Sequence, residues 1–302
     1  MIDGIPGSFG SGQIVEVRPG RLLLIATWYD RRDPERPLFD PVTEGLLASR
    51  QVKAVSTDEG ETWTPWETIR LPASLAGCSS TGPIVRWPDG TLAFPFESLK
   101  AYDDPQPAVP GAWCLLSRDE GRTFGEPVLI ARDAGNQRYY WDQRWCAASG
   151  YRQFIALFWT HDVSAKCDLS VHLLRGGLDS PVNPNAPIDT GLTGQIAAPL
   201  LLEDGRLAAF VVERGQPSRL VLWLSPDGGR TWPEMLVIYA HEERGRMSQG
   251  ENDIDYAEYW EDMHRWTFGH PAICALDGGE LLLSYYAGVP NQLSLYWAKV
   301  KL

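Results

Sequence analysis

A chain of 302 residues, 44% hydrophobic and 22% charged, can bury a sizeable core and is not disordered. Its net charge of −12 argues against a nucleic-acid groove, which needs a basic surface. Five scattered cysteines (Cys78, Cys114, Cys146, Cys167, Cys274) argue against a disulfide framework, and no run approaches the ~20 apolar residues of a membrane span.

The opening MIDGIPGSFG has neither the basic start nor the apolar core of a signal peptide, so a cytoplasmic location is expected. IVEVRPGRLLLIATWYD (14–30) then sets an apolar run, a tight Pro-Gly turn and a second apolar run, the pattern of a buried β-hairpin. A strand QVKAV follows, then the octamer STDEGETW (56–63) and a further strand ETIRL. The same words return in IVRWPDGTLAFPFES (84–98), WCLL, SRDEGRTF (117–124) and EPVLI. They return again in PLLLEDGRLAAFVVE (199–213), LVLWL, SPDGGRTW (225–232) and EMLVIY. Between these, CAASGYRQFIALFWTHD (146–162) and LSVHLL form a unit without an octamer. DIDYAEYWEDMHRW (253–266) is the one stretch that suggests an amphipathic helix, before a last hairpin AICALDGGELLLSYY (272–286).

Four strands in ~50 to 70 residues is the blade of a β-propeller. The expected architecture is a single all-β propeller domain over 1–302. Its blade units run roughly 11–70, 80–131, 139–183, 193–240 and 268–302, with an insert at 241–267.

The three octamers fit Ser-x-Asp-x-Gly-x-Thr-aromatic, the Asp-box (BNR) repeat. Asp-boxes after strand hairpins resemble the sialidase (neuraminidase) superfamily over almost the whole chain, 11–302. That resemblance implies six blades, where five units are countable here. Within each octamer, Asp58, Asp119 and Asp227 are read as turn staples, since an aspartate can accept from amides just ahead while glycine supplies positive φ. Trp63, Phe124 and Trp232 are then expected to tuck between sheets. Too few carboxylates alternate there for calcium, zinc spacing is absent, and no cofactor is expected.

The hairpin turns and octamers share one rim of an up-and-down blade. The long loops, 30–50, 98–112, 131–141, 180–193 and 241–267, fall on the other, where chemistry is expected. Strand ends at that rim carry Asp30, Arg31, Glu97, His161, Asp162, Glu213, Arg214 and Tyr286. First strands begin near Asp142, Arg144, Gln195 and His270. Acids, arginines and aromatic walls suit a carbohydrate ligand; neither a nucleic acid nor a membrane is an expected partner, and oligomeric state has no signal.

The resemblance implies a glycoside hydrolase with a tyrosine nucleophile, an acid/base aspartate after the second strand of the first blade, and arginines on a substrate carboxylate. By position these are Tyr286, Asp30 (nearer the strand than Asp33) and Glu213 as partner to the tyrosine. Arg144 and Arg214 are best placed for the carboxylate, with Arg31 behind them. Glu97, Asp142, His161, Asp162 and His270 complete the expected substrate contacts. The family arginine that opens the first inner strand is missing from Ser11-Gly12-Gln13-Ile14-Val15, so the sugar need not be sialic acid. Two alternatives stand beside hydrolysis. One is a polysaccharide lyase in which His161 and a tyrosine remove a proton alpha to a uronate; the other is a non-catalytic glycan- or protein-binding propeller.

Overall fold

The computed structural model describes residues 1–75, 77–179, 183–184, 186–215, 217–241 and 266–302. All but the last residue of the expected helix, 253–266, and most of the 241–267 insert lie outside the described residues. The fold is an all-β propeller of five blades, each mainly four antiparallel strands, rather than six. The chain divides into two compact units, Met1–Arg132 and Asp133–Leu302.

The first unit holds two blades. In the first blade, β1 (Gly7–Arg18), β2 (Arg21–Asp30), β3 (Ser49–Ser56) and β4 (Glu67–Thr68) pair in sequence order. In the second, the inner position is shared by two short strands, β5 (Cys78–Ser79) and β6 (Val85–Arg86), which both pair with β7 (Leu92–Ser98). β8 (Gly111–Ser117) and β9 (Val128–Ala131) complete it. Leu23 and Ile25 of β2 pack with Phe94, Phe96 and Leu115 in one dry layer between these two sheets. Their strands are apolar on both faces because each is covered twice.

The second unit holds three blades. The first contains β10 (Arg138–Ala147), β11 (Gln153–Asp162), the short β12 (Cys167–Asp168) paired to the end of β11, β13 (Val171–Gly177) and β14 (Ile188–Leu192). β14 falls within the expected loop 180–193 and supplies the fourth strand of this blade; its sequence IDTGL is too polar to announce a strand. The next blade is β15 (Ala197–Leu201), β16 (Leu207–Glu213), β17 (Arg219–Ser225) and β18 (Glu234–Ala240). The last has three described strands, β19 (Phe268–Leu276), β20 (Glu280–Val289) and β21 (Gln292–Lys301).

Strand parity on β16 sorts its side chains. Leu207, Ala209 and Val211 face Ile155, Leu157 and Leu173 of the preceding blade. Phe210 points the other way, its ring 6.2 Å from that of Tyr285 in the following blade. Burying a side chain the size of Phe210 is worth about 2–3 kcal/mol.

The three octamers lie between third and fourth strands and make one hydrogen-bonded turn. Gly60 N–H donates to Ser56 Oγ at 2.8 Å, Gly121 to Ser117 at 2.9 Å and Gly229 to Ser225 at 2.7 Å. Thr62, Thr123 and Thr231 each donate a backbone N–H at 2.9 Å to Oδ1 of Asp58, Asp119 and Asp227. Their hydroxyls take the other carboxylate oxygen at 2.5, 2.6 and 2.7 Å. The aspartates are thus spent on the turn. Phe124 and Trp232 pack between sheets as expected. Trp63 does not: it stays 36% exposed, its ring N–H capping the Gly60 carbonyl at 3.0 Å.

Candidate functional site

Inner strands β10 and β19 of the second unit carry the same irregularity in their first halves. Pairing along β10 skips from Trp141 to Arg144, and along β19 from Gly269 to Ala272, leaving Asp142 and His270 at φ 45° and 54°. Such a bulge puts two residues opposite one, bends the strand and re-aims a side chain. In β10 it turns Asp142 onto Arg144, which donates to Asp142 Oδ1 from Nε at 3.1 Å and Nη2 at 2.9 Å. In β19 it sets His270 so that its Nδ1 accepts from Arg144 Nη2 at 3.4 Å. The neutral ring then carries its proton on Nε2. The Arg144 charge, with burial behind it, pushes the His270 imidazole down to about 4, while Asp142 opposes this. His270 is therefore an uncharged donor at neutral pH.

Arg214 follows β16 and is fully buried. Its guanidinium lies 3.8 Å above the Trp266 ring, donates to the Phe268 carbonyl at 3.0 Å and to Gln195 Oε1, and shares the space beside Gly269 with the Tyr286 hydroxyl. Burial pulls Arg214 down to about 10, so it stays charged at neutral pH. Burial also raises Tyr286, with Arg214 pulling the other way. Gly269 makes this approach possible: at φ 150° a Cβ there would stand 2.5 Å from Arg214 Nη2 and 3.2 Å from the Tyr286 hydroxyl.

Behind Arg214, Gln195 Nε2 donates to Asp168 Oδ2 at 2.9 Å, and Asp168 Oδ1 meets His161 Nδ1 at 3.2 Å. The His161 ring stacks on Trp141 at 5.3 Å, and Trp141 meets Trp159 edge-on at 5.3 Å. The second unit thus brings together Asp142, Arg144, His161, Arg214, His270 and Tyr286 of the expected residues, and adds Asp168 and Gln195. Asp168 sits on the two-residue β12, and Gln195 precedes β15 without any repeat to mark it.

Glu213 is placed elsewhere. Sharing a face with Val211, it bonds Arg219 Nε at 2.5 Å and Trp223 Nε1 at 3.2 Å, on the side of β16 away from Tyr286. The Glu213–Tyr286 couple implied by the resemblance is not among the pairings formed. Asp162 closes a turn, accepting from Ser164 Oγ at 2.7 Å and Ala165 N–H at 2.8 Å.

In the first unit, Asp30 forms a two-pronged pair with Arg32, with Nη2 at 2.7 Å, and Arg32 holds the carboxyl below its usual range. Arg31 donates to Ser8 Oγ at 3.0 Å and the Arg36 carbonyl at 2.8 Å. Glu97 is buried and accepts from Thr81 Oγ1 at 3.3 Å. Trp28, 1% exposed, belongs to the core of this unit. Asp30, Arg32, Arg36, Tyr102 and Asp103 line a cavity of about 890 Å3. Among the described residues no three His, Cys, Asp or Glu side chains form a metal-holding group, and no helix is long and apolar enough to cross a membrane.

No family model matches the chain, and no curated protein matches it. Solved structures do. A protein of unknown function from Dyadobacter fermentans is 16% identical over 97% of this chain and 77% of its own, with a TM-score of 0.68. The Hadza microbial sialidase Hz136 is 16% identical over all of this chain and 54% of its own, at 0.64. A family 117 glycoside hydrolase of Zobellia galactanivorans is 12% identical over 97% of this chain and 84% of its own, at 0.58. Other similar structures include further sialidases, a polysaccharide lyase and an arabinofuranosidase. At these identities the likeness is one of fold: a five-bladed propeller on a scaffold shared with varied carbohydrate-active enzymes.

Proposed function

We propose that the chain is a carbohydrate-active enzyme acting on a glycan that bears a carboxylate, by β-elimination in the second unit. The observation that carries this reading is the placement of buried Arg214 beside Tyr286 across Gly269, in a unit where Glu213 turns to the other face of β16. A buried cation beside a tyrosine hydroxyl offsets part of the burial that raises Tyr286 and favours the tyrosinate once the hydroxyl proton has left. Arg144 and the Nε2–H of neutral His270 hold and polarise the uronate carboxylate, which acidifies the proton alpha to it. Tyr286 takes that proton, the bond from the beta carbon to the glycosidic oxygen breaks, and a carbon–carbon double bond forms. The tyrosine then returns the proton to the departing oxygen, so acid and base are one group. The varied carbohydrate chemistry of the similar folds supports the substrate class. The test is incubation with a panel of uronate polymers while following ultraviolet absorbance of the unsaturated product. Saturated products released from a glycan would sink elimination.

Hydrolysis is the second reading, favoured by the Asp30-lined cavity of the first unit and by the resemblance of the three octamers to Asp-boxes. It expects Asp30→Asn to abolish release of saturated sugar from chromogenic glycosides. Elimination at Tyr286 expects Asp30→Asn to keep turnover.

A further inference from the structure

Arg214 is a charge buried at 0% exposure, which is costly unless its surroundings are fixed and complementary. One of those fixtures is an amide. Gln195, also 0% exposed, is bonded at both ends: Oε1 accepts from Arg214 Nη1 and Nε2 donates to Asp168 Oδ2 at 2.9 Å. This orientation is dictated by charge, because the flipped amide would set NH2 against the guanidinium and oxygen against the carboxylate. Asp168 passes the connection on through Oδ1 to His161 Nδ1, and both side chains are 3% exposed. A hydrogen-bonded chain therefore runs from a histidine on β11 through β12 and the lead-in to β15 to Arg214 at the end of β16, whose guanidinium lies beside the Tyr286 hydroxyl of β20. Bonds of this kind polarise one another in a low-dielectric interior.

We infer that Gln195 and Asp168 are positioning residues that aim Arg214 at Tyr286 and couple the state of His161 to that tyrosine. The role in turnover rests on the elimination reading above; the coupling itself does not. Gln195 touches no substrate in this scheme. It acts by holding one edge of the guanidinium while the Phe268 carbonyl holds another and Trp266 covers a face.

The test uses the full chain with ring-15N histidine and ζ-13C tyrosine, the two resonances being assigned by His161→Gln and Tyr286→Phe. Gln195→Met is expected to move both the His161 Nδ1 and the Tyr286 Cζ signals, although it replaces neither residue. Thr190→Val, at a buried site outside the chain of bonds, is expected to move neither. Gln195→Glu keeps the acceptor for Arg214 but faces Asp168 with a second carboxylate, so it should move His161 more than Tyr286. If Gln195→Met does not fold, Gln195→Glu decides alone. Unmoved His161 and Tyr286 signals in the folded Gln195 variants would overturn the coupling. With an eliminated substrate in hand, Gln195→Met should lower kcat about 10- to 100-fold with KM within about threefold. Lack of any unsaturated product from the wild type would defeat the elimination reading and leave the resonance test intact.

Discussion

Glu213 and Arg214 are neighbours in sequence whose side chains serve opposite faces of one blade. Glu213 bonds Arg219 and Trp223 toward the preceding blade; Arg214 bonds Gln195 of its own blade and reaches the Phe268 carbonyl and Tyr286 of the following one. Glu213→Gln is accordingly expected to leave kcat within about threefold while costing about 1–3 kcal/mol of stability, because it weakens a buried, charge-assisted pair. Arg214→Met should lower kcat at least about 100-fold. Steady-state kinetics beside urea unfolding separates the two effects, and a catalytic collapse in Glu213→Gln would return the glutamate to the chemistry.

Tyr286→Phe removes only the hydroxyl that lies beside Arg214. Turnover should fall by about 1,000-fold, with substrate affinity within a few-fold and the thermal midpoint nearly unchanged. Kinetics together with calorimetric titration of an uncleaved uronate oligomer would check this. Undiminished turnover would rule out a tyrosine base.

His270 gives a pH signature with a definite sign. Its folded value, about 4, lies below the ordinary 6.5, so the unfolded chain binds this proton first as pH falls. The stability linked to His270 is therefore present above about 6.5 and lost as the pH drops toward about 4. Thermal unfolding at pH 7 and pH 5 should show a smaller drop in His270→Gln than in the wild type. Equal drops would mean that Arg144 does not govern the ring.

The octamers should matter to stability and not to chemistry. Ser225 is fully buried, donates to Asp227 Oδ1 at 2.8 Å and accepts from Gly229 N–H at 2.7 Å. Ser225→Ala should cost about 1–2 kcal/mol with kcat unaltered. In the first blade, the Thr62 hydroxyl and N–H, with Ser56, hold the Asp58 carboxyl down to about 2. Its contribution is thus complete above the ordinary 3.8 and fades only as pH falls through about 2. Acid titration of wild type against Asp58→Asn, followed by circular dichroism, checks that order of loss.

Hairpins, octamers and blade count were legible because each rests on chemistry within about ten residues of chain. A Gly-containing turn between apolar runs and an aspartate four residues before its threonine need no tertiary context. β14 was missed because its strand character comes from pairing with β13 and not from its own polar sequence. The site was half legible. Asp142 and His270 stand where inner strands begin, so their rim position could be expected. Alternation groups Glu213 with Val211, but which neighbouring blade that face meets is settled only by packing. Asp168 was invisible, and Gln195 stood out only as a strand start, for the same reason: a buried amide or carboxylate acquires meaning from partners contributed by other elements.

The inner-strand bulge that aims Asp142 and His270 also occurs in β1, where pairing skips from Phe9 to Gly12. The residues it would present there are Gly10 and Ser11, so this mount carries almost no side chain. A Cβ at Gly10 would come within 2.8 Å of the Tyr29 ring, which sets the toll for filling it. The first unit thus carries a register skip with none of the ionisable side chains that the second unit mounts at its own. Loading it, with Tyr29 trimmed to make room, would add a side chain to the first unit without redesigning a blade.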